Sequence, residues 1–202
     1  MALLLRLIDP LTSSESGDAT NASGLISIDH VPLHTVDQTS LRERIICTSQ
    51  DAVFLLDETT VHASLDPWTI ATDAECMDAI DAVGLTTVVQ QKGGLQAPVI
   101  AVELSAGQKQ LFHLARAVLR RRVKLRETGV DGGLLLVDEI TSNADQELEK
   151  LILEVLHTEF AAYTVICVTH RRAMLLACER TIVLDAGRVI EDNKSQHRSG
   201  VL

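Results

Sequence analysis

The chain has 202 residues, 46% of them hydrophobic and 23% charged, with 28 acidic against 18 basic side chains and a formal net charge of −10. That size and balance fit one globular domain with a real core. They exclude a disordered chain and a general nucleic-acid binder, which needs surplus Lys and Arg to neutralise phosphates.

In chain order, "ALLLRLI" reads as the end of a helix stopped by "DP", and "LTSSESGDATNASG" as a polar loop. "LISIDHVPL" alternates like one strand, and "LRERIICTSQDAVF" holds a second, short apolar strand ending at Ser49 and Gln50. From "TTVHASLDPW" to about Val89 the periodicity turns helical, with Cys76, Ile80 and Val83 on one face, and "QQKGGLQAP" breaks it. This stretch is expected to form an inserted helical lobe.

"ELSAGQKQLFHLARAVLRRR" then opens with a turn and continues as an amphipathic helix, with Leu111, Leu114, Ala115, Val118 and Leu119 at the spacing of one buried face. The basic cluster Arg120, Arg121, Arg122 and Lys124 is either a contact patch or a complement to the negative end of that helix. Beyond it come strand "GGLLLVDE", helix "DQELEKLILEVLHTEF", strand "YTVICVTH", helix "RRAMLLACE", one strand "RTIVLDAGRVIE" and a tail. Apolar strands alternating with helices predict an α/β fold with a parallel sheet covered on both faces.

The four cysteines, Cys47, Cys76, Cys167 and Cys178, make no CxxC pair and have no histidine at ligand spacing. Neither zinc nor a disulfide framework is supported, and a reducing, cytosolic setting is expected. No apolar run nears the roughly 20 residues that cross a bilayer, and "MALLLRLIDP" is too short and too soon charged for a secretory signal. A membrane role is therefore expected to be carried by a partner or by sequence outside these residues.

Residues able to do chemistry gather at expected strand ends. Asp138 and Glu139 follow the apolar run Leu134 to Val137, at the strand edge where open α/β sheets bind ligands. The pair either leads into a loop and helix cap, or divides labour, Asp138 holding Mg²⁺ and Glu139 activating a water for in-line attack on phosphate. His170, at the end of "YTVICVTH", is a structural or solvated histidine, or one that contacts a γ-phosphate oxygen or positions the water. Gln50 is a surface loop residue, or an amide that ligates Mg²⁺ or the water. Ser105 and Gln108 form an S-x-x-Q capping box, and with Gly107 uncovered the first-turn amides and the Ser105 hydroxyl form an anion site at a positive helix end. A phosphate is its natural occupant.

The order "Q … LSAGQ … LLLVDE … D … H" resembles the nucleotide-binding domain of ATP-binding cassette (ABC) transporters over nearly the whole chain. Gln50 looks like the Q-loop, Leu104 to Gln108 the signature motif, Leu134 to Asp138 the Walker B strand with catalytic Glu139, "TSNAD" with Asp145 the D-loop, and His170 the H-loop. "TVHASLDPW" further resembles the second nucleotide-binding domain of subfamily C, the multidrug-resistance-associated group.

The resemblance implies a P-loop NTPase-like ABC ATPase domain with a parallel sheet core and an inserted α-helical subdomain. Residues 1–50 would run from the helix after the P-loop to the Q-loop, about 51–127 would form the helical subdomain with the signature helix, and about 128–202 the Walker B and C-terminal part. It implies ATP and Mg²⁺ as cofactors, with Asp138 and Gln50 on the metal, Glu139, His170 and Gln50 catalytic, and Ser105, Ala106, Gly107, Gln108 and Asp145 on the nucleotide. It implies a head-to-tail pair with a second nucleotide-binding domain and transmembrane domains as partners, at the cytoplasmic face of a membrane, with no nucleic acid and no direct insertion by this chain. The function implied is ATP-driven export.

No G-x-x-x-x-G-K-[ST] loop occurs in the 202 residues. The family's P-loop and its strand are expected to precede Met1, so the chain alone is not expected to turn over ATP efficiently. A second reading is a non-catalytic interaction module, or the product of an incomplete gene model, lending its signature face to a partner's ATP. A soluble ABC ATPase of DNA repair or translation is disfavoured by "SLDPW", the short helical lobe and the lack of a coiled-coil or basic arm.

Overall fold

The computed structural model describes residues 27–38, 41, 44–48, 59–140 and 144–194. The helix end read in "ALLLRLI", the loop after it, Gln50 and the tail lie outside the described residues.

The stretch read as one strand, "LISIDHVPL", is instead a hairpin of β1 (Ser27–Ile28) and β2 (Val31–Pro32), paired antiparallel. The reversal is made by Asp29 and His30, whose φ of 50° and 65° lie in the left-handed region that a two-residue hairpin turn demands. Strand β3 (Ile45–Thr48) follows as expected.

The helical stretch resolves into α1 (Val61–Leu65), α2 (Asp73–Ala82) and α3 (Thr86–Gln91), and a further short helix, α4 (Val99–Val102), follows the break. Helix α2 begins with a capping box: Thr72 Oγ1 accepts from Glu75 N at 3.3 Å, and Glu75 Oε2 accepts from Thr72 N at 2.8 Å. Its face of Cys76, Ile80 and Val83 is wholly buried, as the period required. The expected break falls at Gly93 and Gly94, both with positive φ.

Helix α5 (Ala106–Thr128) is the long spine, closed by Gly129 in the left-handed conformation with its N–H on Leu125 O. Leu111, Leu114, Ala115, Val118 and Leu119 are all buried. Its basic cluster lies short of the helix end and is engaged by the chain itself. Arg121 meets Asp131 at 2.6 Å and Glu159 at 2.9 Å, Arg122 meets Glu159 at 2.5 Å, Lys124 donates to Gly132 O at 2.8 Å, and Arg120 lies 5.4 Å from the Trp68 ring centre.

Strand β4 (Gly133–Asp138), helix α6 (Gln146–Glu159), strand β5 (Tyr163–Val168) and helix α7 (Arg172–Ala177) follow in the expected order. The sheet is parallel with order β3-β4-β5, pairing Ile46 with Leu135 and Leu135 with Val165. One face of it, with Ile46, Leu135 and Val137, joins a continuous buried cluster reaching α1, α2, α5 and α6. The opposite face packs Ile45 and Leu136 against Leu33 and Leu41.

Two expectations need correction. "RTIVLDAGRVIE" is not one strand but a hairpin of β6 (Arg180–Asp185) and β7 (Arg188–Lys194), turning at Ala186 and Gly187 with φ of 45° and 75°. The hairpin forms its own two-stranded sheet, so the parallel sheet has three strands among the described residues. Nor is that sheet covered throughout: β5 leaves Val165, Ile166 and Val168 exposed, and in the separate hairpin β6 leaves Ile182 and Leu184 exposed.

Candidate functional site

Strand β4 is buried from Leu135 to Val137 and delivers Asp138 and Glu139, both partly exposed, at its carboxyl end. Glu139 leaves the strand with φ 46°, a left-handed conformation that costs a non-glycine residue about 1–2 kcal/mol and recurs where function fixes the backbone. Its N–H donates to Val168 O at 2.9 Å, which holds the turn against the end of β5. His170 follows two residues later, and its Nδ1 lies 3.8 Å from Glu139 Oε1. That separation is too long for a direct hydrogen bond and short enough for both groups to contact one oxygen between them.

The Ser105 turn has the predicted geometry. Ser105 Oγ accepts from Gln108 N at 3.2 Å, while Gln108 Oε1 accepts from Ser105 N at 3.0 Å. The Ser105 O–H therefore keeps its donor capacity. Gly107 has a second reason to lack a side chain: a Cβ there would stand 2.6 Å from Leu148 Cδ2. The first turn of α5 thus sits directly on the first turn of α6.

Asp145 caps α6, its Oδ1 accepting from Leu148 N at 2.8 Å. One residue earlier, Ala144 O accepts a hydrogen bond from Arg171 Nη2. Sequence reading assigned nothing to Arg171 or Leu148. Their partners lie 27 and 41 positions away, at a backbone carbonyl and a missing Cβ, neither of which leaves a side-chain pattern.

The structure thus brings Asp138, Glu139 and His170 to one carboxyl edge. Ser105 to Gln108 and Asp145 stand at the starts of two helices in contact, and Gln50 lies outside the described residues two positions past β3. A groove of about 1720 Å³ opens elsewhere, lined by Trp68, Arg116, Arg120 and Ile45, and it includes none of the described residues proposed for the site. Among the described residues no three His, Cys, Asp or Glu side chains group to hold a metal.

A parallel sheet with acids and a histidine at its carboxyl edge, faced by a helical cluster with a capped turn, is a P-loop NTPase-like architecture. A solved bacterial Atm1-family ABC exporter with ATP bound matches it at TM-score 0.76 and 26% identity, over 96% of this chain and 30% of that one. Residues 4–126 match the ABC transporter family. The chain belongs to that family.

Among its fungal relatives, the ABC-type transporter braE of Annulohypoxylon truncatum is 42% identical over 197 residues, covering 95% of this chain and 13% of that protein. The ABC transporter FGM5 of Gibberella zeae is 45% identical over 190 residues, covering 94% and 12%. The ABC multidrug transporter B of Aspergillus fumigatus is 36% identical over 170 residues, covering 84% and 11%. The chain spans roughly an eighth of the length of these relatives.

Proposed function

We propose that the chain is part of the ATP-hydrolysing machinery of an ABC exporter, presenting its Ser105 turn to a nucleotide held by a second nucleotide-binding domain. The observation that carries this is the meeting of Glu139 and His170, 31 positions apart, at 3.8 Å on the carboxyl edge of the parallel sheet. Because the 202 residues contain no G-x-x-x-x-G-K-[ST] loop, we assign the cradle of the β- and γ-phosphates of that nucleotide to another polypeptide segment.

Within this proposal each residue is given a role. Asp138 would hold Mg²⁺, which, when bound, would neutralise charge on the phosphate oxygens. Glu139 accepts a hydrogen bond from the attacking water and orients it. His170 donates to a γ-phosphate oxygen. The Ser105 hydroxyl and the first-turn amides at Ala106 and Gly107 stabilise the terminal phosphate at the positive end of α5, while Gln108 holds the Ser105 turn in shape through the capping box. Asp145 orders the turn that faces the partner, and Gln50 senses the metal and water and couples the site to the transmembrane domains. The transmembrane domains, the cytoplasmic face of a membrane and membership of subfamily C as a second nucleotide-binding domain belong to the same proposal, supported by the exporter neighbour and by "SLDPW".

The test is to pair the chain with a nucleotide-binding domain that carries a P-loop, and to follow photolabelling and phosphate release. Labelling of the Ser105 turn by a photoreactive ATP analogue is expected. Glu139→Gln is expected to lower phosphate release about 100-fold or more while nucleotide stays bound. A label remote from the Ser105 turn would overturn the proposal, and so would micromolar Mg-ATP affinity of the chain alone.

A further inference from the structure

We propose that Arg171 is a positioning residue that ties the His170 strand end to the start of α6, so that the phosphate-contacting and partner-facing segments keep one geometry. The role given to those segments rests on the function proposed above; the tie itself does not.

Arg171 is fixed at both ends. Its N–H donates to Thr169 Oγ1 at 3.0 Å, and its carbonyl accepts from Leu175 N at 3.1 Å, so its backbone is held at the entry to α7, next to His170. From there its guanidinium crosses to Ala144 O. Ala144 is 6% exposed, and its carbonyl lies one residue before the cap of α6, outside the ladder that Asp145 O begins by accepting from Glu149 N at 3.0 Å. A buried carbonyl in that position needs a donor from elsewhere. A guanidinium gives a charge-assisted bond with a fixed plane, which a lysine ammonium does not.

Gripping that carbonyl fixes the peptide between Ala144 and Asp145, and hence the direction from which Asp145 caps Leu148 N. Leu148 Cδ2 in turn lies 2.6 Å from the place a Cβ on Gly107 would take. One guanidinium therefore stands at the head of a line of contacts running from His170 to the signature turn.

Amide hydrogen exchange on the full chain tests the tie. Arg171→Ala is expected to speed exchange at Leu148 and Glu149 about tenfold while leaving Leu135 and Val137 of β4 unchanged, since local opening is then separated from global unfolding. Arg171→Lys is expected to restore only part of that protection. Unchanged exchange at Leu148 and Glu149 would overturn the tie, and so would equal acceleration in β4, which would mark Arg171 as a contributor to global stability alone.

In the ATP-hydrolysing pair, Arg171→Ala is expected to lower kcat about tenfold with KM little changed, as misplacement of a reacting group does. A wild-type pair that hydrolyses nothing would sink the nucleotide role and leave the exchange result to decide the tie.

Discussion

The contact between the two helix starts makes a quantitative prediction at Gly107. Replacing it with alanine places a methyl 2.6 Å from Leu148 Cδ2, where carbon atoms prefer roughly 3.5–4.0 Å. About 1 Å must be found. Leu148 is partly buried, and its Cδ2 is the mobile end of the side chain, so a rotation about χ2 relieves most of the clash at the lower end of the roughly 1–3 kcal/mol typical of overpacking. Alanine recovers at most about 1 kcal/mol in helix propensity, and less in the first turn than in the interior. The expected net effect of Gly107→Ala is a loss of about 0.5 kcal/mol, a fall in Tm of roughly 1–2 °C for a chain of this size.

The sign rests on Leu148, which a double-mutant cycle isolates. In a Leu148→Ala background the clash is gone and only the propensity gain remains, so Gly107→Ala is expected to be neutral or slightly stabilising there. The coupling read from urea denaturation of the four chains is then about 1–2 kcal/mol. An equal loss in both backgrounds, or a gain in the Leu148 background, would show that the two first turns are not in contact as described.

Three further outcomes are expected. Burial, with the charge of Arg116 adding to it, pushes His113 from 6.5 down to about 4. The unfolded chain therefore binds more protons across that window, so the His113 contribution to stability is complete above pH 6.5 and is lost as pH falls toward 4. His113→Gln should flatten that slope in a series of denaturation midpoints, and an unchanged slope would refute it. Glu159→Gln removes the carboxylate that binds Arg121 and Arg122 where it is only 15% exposed, and should cost about 1–3 kcal/mol by the same assay, well above the cost of losing a surface pair. The uncovered apolar side chains of β5 should make the chain self-associate with concentration in sedimentation, and Ile166→Lys with Val168→Lys should reduce this. A clean monomer at high concentration would count against it.

What could be read in advance was what periodicity and capping encode locally. The face of Cys76, Ile80 and Val83, the stripe from Leu111 to Leu119, the Ser105 and Gln108 box and the apolar run into Asp138 each announce themselves within a few residues, and each is found in the fold. Both hairpins escaped because their turns lack the usual signal. Asp29 and His30 adopt left-handed φ without an Asn-Gly or Asp-Gly pair, and Gly187 follows Ala186, which shares the strain. In each case alternation ran straight through the reversal, and one strand was read where the backbone folds back.

The candidate site divides along the same line, and the division has a physical origin. Acids, a histidine and a capped glycine turn are side-chain statements, so their types and order along the chain are visible. How they are held relative to one another depends on groups that every residue has, or that glycine lacks. Val168 O fixes the Glu139 turn, Ala144 O takes the Arg171 guanidinium, and the missing Cβ of Gly107 admits Leu148. Backbone carbonyls and absent methyls leave no mark on composition or spacing, so the connections among the site's parts emerge only when the chain is folded. The residues most exposed to that blindness are those that carry no proposed contact with substrate, and Arg171 and Leu148 are the two for which substitution should separate the placing of the proposed catalytic groups from their identity.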